Sequence, residues 1–341
     1  MIIGVCGYGF TGSGAVVDIL KEFPELQVLD QVEFKISYMQ DGIEDLSYHL
    51  VDHPCRYFGS DSAIRRFKLI IREFSKKYQE ITKGEFLHLA DEFIDSITDV
   101  SWRGTCSFHK VESSRLMRYF KYSLMTRVRK GLYKYGRIWV QFPDKEMYLS
   151  IAPENFMANS RRFISSIISC MGGTQEKKVL NQPFPADRPE FSFPYFENPL
   201  AICVTRDPRD LYLLAKDYAK PRARFIPTDS VQDFITYYRK IMENATNSQA
   251  DTERVHRVAF EDLIYDYEHS VAQIMKFLGI SNHEDKLKYF LPEISIRNTR
   301  LYKKNTRFAS DIKEIEQSLG PWLYNFPQDS SEIIVGKGRV F

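Results

Sequence analysis

Four glycines at the start of the chain, Gly7, Gly9, Gly12 and Gly14, have the spacing to do chemistry. They close the apolar run Ile2-Ile-Gly-Val-Cys6 and precede the helical pattern of Ala15, Val16, Val17, Ile19 and Leu20. Strand, glycine-rich turn and helix together make an anion-binding arrangement. Glycine lets the backbone approach a phosphate closely, and the free N–H groups of a helix start point at it. Two patterns overlap in this stretch. Gly7-x-Gly9-x-x-Gly12 is a dinucleotide fingerprint, with Asp30 at a distance suited to a ribose. Gly9-Phe-Thr11-Gly12-Ser13-Gly14 is a loop of the P-loop type, except that Ser13 stands where the Walker lysine belongs.

The next chemical cluster comes late. Leu200-Ala-Ile-Cys-Val-Thr is a continuous apolar strand of the kind buried in a parallel sheet, and it runs into Arg206-Asp-Pro-Arg209-Asp210. Ligands of open α/β sheets bind beyond the carboxyl ends of the strands, so Arg206 is delivered to a ligand cleft. Its planar guanidinium suits a phosphate, and Pro208 suits the first turn of a following helix. Arg209 and Asp210 fit an ion-pair cluster pinning the strand to that helix.

The elements that must position these groups alternate. Strands are expected at 26–30, 178–182, 200–205 and 255–260, and helices at 43–50, 155–171, from 210, 231–245, 270–278 and 310–319. A hairpin is expected from 137–142 and 146–151 around Pro143-Asp144. The stretch 60–137 carries helical spacing (Ile64, Phe67, Ile70, Ile71, Phe74, Tyr78) and reads as a helical insertion or cap. Strands alternating with helices predict one α/β domain over 1–341 with a central parallel sheet.

Composition sets the outer limits. With 43% hydrophobic and 27% charged residues, the 341-residue chain reads as a folded soluble protein. Cys6, Cys55, Cys106, Cys170 and Cys203 are scattered without a C-x-x-C pair, so neither a disulfide framework nor a metal is expected. With no apolar run of membrane length and the loop strand at the very start, no transmembrane segment or leader is expected, and a reducing, cytoplasmic setting fits. The formal charge is only +2, but between Arg103 and Arg137 ten lysines and arginines face one acid, Glu112. That segment reads either as a solvated face or as a wall for an anionic acceptor. It contains no recognised nucleic-acid motif.

Several of these residues share a family likeness. Val204-Thr-Arg206-Asp-Pro-Arg-Asp210 resembles the segment of sulfotransferases that binds the 3′-phosphate of their donor, 3′-phosphoadenosine 5′-phosphosulfate. Val258-Ala-Phe-Glu261-Asp262-Leu263 and Ile274-Met-Lys-Phe-Leu-Gly-Ile280 resemble that family's strand, turn and following helix, and Asn181-Gln-Pro183 is similar to bacterial members. The resemblance implies a P-loop NTPase-like three-layer α/β fold. It also implies sulfuryl transfer from that donor to a hydroxyl or amine acceptor; the donor has no polyphosphate chain, so no metal is expected, and the basic segment 103–137 points to an anionic acceptor such as a carbohydrate. Gly9, Phe10, Thr11, Gly12, Ser13, Gly14 and Ala15 would take the 5′-phosphosulfate, and Arg206 the 3′-phosphate. Cations at Lys216, Lys304 and Arg307 would complete the donor site. The sequence departs from the family pattern at Phe10, where a lysine or arginine is usual, and at Leu214, where a serine is common. The acceptor hydroxyl needs a base, for which Glu33 and His109 are the expected groups. A P-loop kinase, an NAD oxidoreductase and a non-catalytic nucleotide- or polyanion-binding protein remain open alternatives.

Overall fold

A computed structural model describes residues 1–54, 59–104, 114, 116, 119–124, 127–128, 130–131, 145–218, 224–246 and 253–327. The chain divides into two compact units, one of residues 1–39 and 164–341, the other of residues 40–163.

The first unit is built on five parallel strands: β1 (Ile2–Gly7), β2 (Leu26–Glu33), β5 (Lys177–Asn181), β6 (Pro199–Thr205) and β7 (Val255–Ala259). Their order across the sheet is β2-β5-β1-β6-β7. β1 is the central strand, with Ile3 level with Val179 on one side and Leu200 on the other. It is buried from Ile2 to Cys6, as a strand covered on both faces must be. Helices flank the sheet. Val16, Val17, Ile19 and Leu20 of helix α1 (Ser13–Leu20) pack with Val271, Ile274 and Leu278 of the helix Tyr267–Leu278 over Ile3, Val5, Ile202 and Val258. Each such side chain, fully buried, is worth about 1.5–3 kcal/mol. The expected α/β class with a central parallel sheet is what forms.

The strand order bears on the dinucleotide alternative. In the doubly wound order 3-2-1-4-5-6 the strand carrying the ribose-binding acid lies beside the first strand. Here β5 separates β2 from β1. Asp30 is ion-paired to Lys21 at 2.8 Å, and the β2–β5 register shifts between Leu29 and Glu33. The chain leaves β1 toward β2 and later crosses to β6 on the other side. The carboxyl end of β1 is therefore the switch point of the sheet, where ligands bind in open α/β folds.

The second unit contains the long helix Gly59–Ile81 and the helix Phe86–Ser96. Phe67, Phe93 and Phe163 form its aromatic centre, with the Phe93 and Phe163 rings stacked at 4.8 Å. Two sequence expectations change here. A strand, β3 (Val100–Gly104), interrupts the helical stretch, and β4 (Lys145–Leu149) pairs antiparallel with it, Val100 opposite Leu149 and Gly104 opposite Lys145. The expected partner of β4, 137–142, lies outside the described residues. Val100, Trp102 and their neighbours alternate as a strand does, but the long separation of the two strands hid the pairing.

Candidate functional site

The carboxyl end of β1 turns into α1 through three departures from ordinary backbone. Gly9 (φ 83°), Phe10 (φ 57°) and Gly12 (φ 90°) all lie in the left-handed region. At Gly9 a Cβ would come within 2.6 Å of the Phe225 ring, and at Gly12 within 2.4 Å of Phe260. These two glycines are demanded by the protein itself. Phe10 has a Cβ and so bears a cost of about 1–2 kcal/mol for its conformation. That cost is offset by stacking on Phe225 (5.8 Å, 14°) and by the Phe10 carbonyl, which accepts from Arg206 Nη1 at 3.0 Å.

Gly14 differs from these two. It is exposed, its φ is not positive, and a Cβ there would meet nothing within 4 Å. Neither backbone strain nor packing explains glycine at this helical position. Open space beside a helix start is what a bound group would occupy.

That space is a cavity of about 380 Å³. Phe10, Gly12, Ser13, Gly14 and Ala15 line it from the loop, and Arg206 and Phe260 from the ends of β6 and β7. Asp18 of α1, Phe290, Ser295 and Asn298 close the rest. Ser13 and Gly14 are first-turn residues, whose amides have no acceptor within a helix. The loop is tied down by a residue from β5's end: Gln182 Oε1 accepts from the Gly7 amide at 3.1 Å, and its Nε2 donates to Ser13 Oγ at 3.0 Å. The Thr11 hydroxyl accepts from the Tyr8 amide at 3.2 Å and is buried, so it braces the turn and does not line the cavity.

Arg206 is almost fully buried, with its guanidinium 4.8 Å from the centre of the Phe260 ring. Besides the Phe10 carbonyl it donates to that of Asn298. Burial lowers its pKa, against the opposing pull of Asp210, Glu261 and Asp207. Among the described residues, Arg206 Nε and Asn298 Oδ1 have no hydrogen-bond partner. A buried donor and a buried acceptor left unpaired beside a cavity are where a polar ligand gains most. Both carbonyls on Arg206 are neutral, and charge-assisted bonds to an anion are roughly twice as strong.

The next residues are structural, as the ion-pair reading anticipated for Arg209. Asp207 caps its helix by accepting from the Arg209 amide at 2.8 Å, and its carboxylate holds the Arg209 side chain at 2.7 Å. Asp210 accepts instead from the amides of Arg300 and Tyr302, and burial raises it to about 6. Glu261 accepts from the Asp207 amide at 3.0 Å, and burial lifts it to about 8. It is a buried cross-brace between β6 and β7, not the cap of its own turn.

The three distal cations point elsewhere. Lys216 bonds Asp311 at 3.1 Å and the Tyr212 hydroxyl. Lys304 donates to the carbonyls of Arg297 and Thr299, bracing the segment that presents Asn298. Arg307 is exposed and 4.0 Å from Asp217. None of them lines the cavity. Glu33 ends β2, exposed and 2.6 Å from Lys35, and it too is outside the cavity lining. His109 lies outside the described residues. No cluster of His, Cys, Asp or Glu able to hold a metal occurs among the described residues.

Sequence reasoning missed Gln182 as the loop's tie, and Asp18, Phe290, Ser295 and Asn298 as cavity walls. Phe290 is placed by Glu22, a fully buried carboxylate after α1. It accepts from the Leu287, Tyr289 and Phe290 amides and lies 2.7 Å from His283 Nε2. Burial pushes this carboxyl up, but the bonds from His283 and the amides outweigh it and hold its pKa below the usual range.

Residues 160–285 match the model of the sulfotransferase family. That span contains Gln182, Arg206, Phe260 and Glu261, and over it the family resemblance is borne out. Among solved structures the chain is similar to a sulfotransferase domain from the curacin biosynthetic pathway (13% identical, TM-score 0.41, covering 96% of this chain and 98% of that one). It is also similar to the sulfotransferase domain of a Synechococcus olefin synthase (12%, TM-score 0.41, 96% and 94%). A third is a sulfotransferase from Mycobacterium tuberculosis (13%, TM-score 0.35, 87% and 76%). No curated protein matches the sequence.

Proposed function

From the sulfotransferase-family segment at residues 160–285, we propose that this protein moves a sulfuryl group from 3′-phosphoadenosine 5′-phosphosulfate to a hydroxyl acceptor. The observation that carries the reading is that the family segment and the glycine loop meet in one cavity: Arg206, inside the segment, donates to the carbonyl of Phe10, inside the loop. A glycine with no structural reason, Gly14, faces the space between them.

The amides of Ser13 and Gly14, the Ser13 hydroxyl and the positive end of α1 would hold the phosphosulfate. Arg206 would exchange its neutral carbonyl partners for phosphate oxygens. Sulfuryl transfer, like phosphoryl transfer, needs chiefly alignment and stabilisation of charge on the group in flight and on the leaving oxygen. The loop supplies both from backbone, without the side-chain cation that Phe10 replaces. Proton removal from the acceptor falls to Glu33 or His109 on this reading, and the acceptor is a small molecule or carbohydrate.

Thermal denaturation with 3′-phosphoadenosine 5′-phosphate, beside ATP with magnesium and NAD, tests the donor. At a hundred times its dissociation constant the cognate ligand adds about 2.7 kcal/mol. The expected result is a shift with the 3′-phosphorylated nucleotide alone. A shift with ATP only would move the reading to the kinase alternative.

A further inference from the structure

The Gln182 side chain reaches the glycine loop with both ends of its carboxamide, and the two contacts differ in chemistry. The Gly7 amide, 3.1 Å away, is a backbone N–H and can only donate, so the carboxamide oxygen has to face it. That leaves the nitrogen facing Ser13 Oγ at 3.0 Å, and an NH2 group can only donate. Ser13 therefore accepts from Gln182, and its own proton takes another direction. No bond donated by the Ser13 hydroxyl occurs among the described residues, and Ser13 lines the cavity.

A tie alone does not call for glutamine. A carboxylate at this position would accept from the Gly7 amide more strongly, and it would accept from the Ser13 hydroxyl as well. What the amide adds is the direction of the second bond. Gln182 is also costly to place. It is nearly buried, and its φ of 55° lies in the left-handed region, which a Cβ disfavours. Strain of this kind persists where the surroundings hold it, and here the Gln182 amide donates to the Val5 carbonyl of β1 at 2.8 Å.

We infer that Gln182 is a positioning residue: it holds the Ser13 hydroxyl as a hydrogen-bond donor into the cavity, where that hydroxyl meets an anionic oxygen of the ligand. The inference rests on the reading of this cavity as the seat of the phosphate-bearing end of a nucleotide. It also fits the composition of the loop. Residues 7–15 contain no lysine or arginine, so a bound sulfuryl or phosphoryl group is met there by neutral donors, and each has to be turned the right way.

The test is a double-mutant cycle of wild type, Q182E, S13A and S13A/Q182E, read by calorimetric titration with 3′-phosphoadenosine 5′-phosphate. The carboxylate of Q182E keeps both ties, but it accepts from Ser13 and so draws the proton out of the cavity. S13A should weaken binding about tenfold, as the loss of one hydrogen bond to a charged group does. Q182E should weaken it about a hundredfold in the wild-type background and at most about tenfold in the S13A background. As the pH is lowered Q182E should approach the wild type, because a protonated carboxyl accepts from Gly7 and donates to Ser13 as the amide does; S13A should not recover. Equal losses from Q182E in both backgrounds, or a deficit that pH does not change, would overturn the proposal and leave Gln182 a plain loop tie. Melting curves report whether each variant is folded. If Q182E is not, Q182N takes its place: neutral and one methylene shorter, it cannot span Gly7 and Ser13, and its loss should likewise shrink in the S13A background. If the wild type binds ATP with magnesium and not the 3′-phosphorylated nucleotide, the donor reading fails. The cycle is then run on ATP, where the same coupling upholds the role of Gln182 and its absence overturns it. A wild type that binds neither nucleotide overturns both.

Discussion

At the scale of single residues, Gly12 and Gly14 do different work in the loop and should respond differently to the same change. Gly12→Ala puts a methyl group against Phe260 and a Cβ on a left-handed backbone, so it should destabilise the fold by about 2 kcal/mol or more in a urea titration. Gly14→Ala meets nothing, and alanine is the better helix former, so stability should hold or rise by up to about 1 kcal/mol. Glu261 makes a pH prediction. Burial raises its folded pKa from 4.5 to about 8, so between those values the native state holds a proton that the unfolded state has lost. Stability should therefore be fully present below the unfolded pKa and should fall as pH rises through that window, by about 1.4 kcal/mol per unit where the difference is one full proton. Glu261→Gln keeps the acceptor for the Asp207 amide and removes the titration. Melting curves from pH 6 to 9 should be flatter for this variant than for the wild type, and parallel curves would remove Glu261 from the account. Arg206 is a poor first target for substitution, because it clamps Phe10 and Asn298 as well as facing the cavity.

At the scale of elements, the site depends on segments that arrive from far along the chain. Glu22 gathers the loop 283–290 by its backbone amides and so sets Phe290 against the cavity. Glu22→Ala leaves those buried donors without an acceptor and should cost about 3 kcal/mol. Hydrogen exchange should accelerate at residues 283–290 while β1 and β6 stay protected; uniform acceleration would mean that Glu22 supports the whole fold instead. The same dependence explains what could be read from sequence. The loop and Arg206 were legible because each is a local pattern, an apolar strand followed by turn glycines or by charges. Gln182, Asn298 and Phe290 were not, because only the sheet order and the distant turns whose amides Glu22 and Asp210 hold bring them to β1. Lys216, Lys304 and Arg307 looked like donor cations by type and position along the chain. Lys216 and Arg307 pair with Asp311 and Asp217, brought in by folding over distances a motif does not span, while Lys304 turns back onto the carbonyls of Arg297 and Thr299 in its own segment. The β3–β4 pairing was hidden by the same kind of separation.

At the scale of the whole molecule, the parallel sheet places one anion-binding turn at its switch point, and the family segment supplies the wall opposite. The second unit carries its own core of Phe67, Phe93 and Phe163. The central claim is that the space beside Gly14 receives the phosphate-bearing end of the donor nucleotide. Its most direct test is calorimetric titration of wild type and Gly14→Ala with 3′-phosphoadenosine 5′-phosphate, beside melting curves of both proteins. The account predicts that the wild type binds, and that Gly14→Ala melts at the same temperature or higher with affinity lowered at least tenfold, about 1.4 kcal/mol. Wild-type affinity in a well-folded Gly14→Ala, or no binding by the wild type, would contradict it.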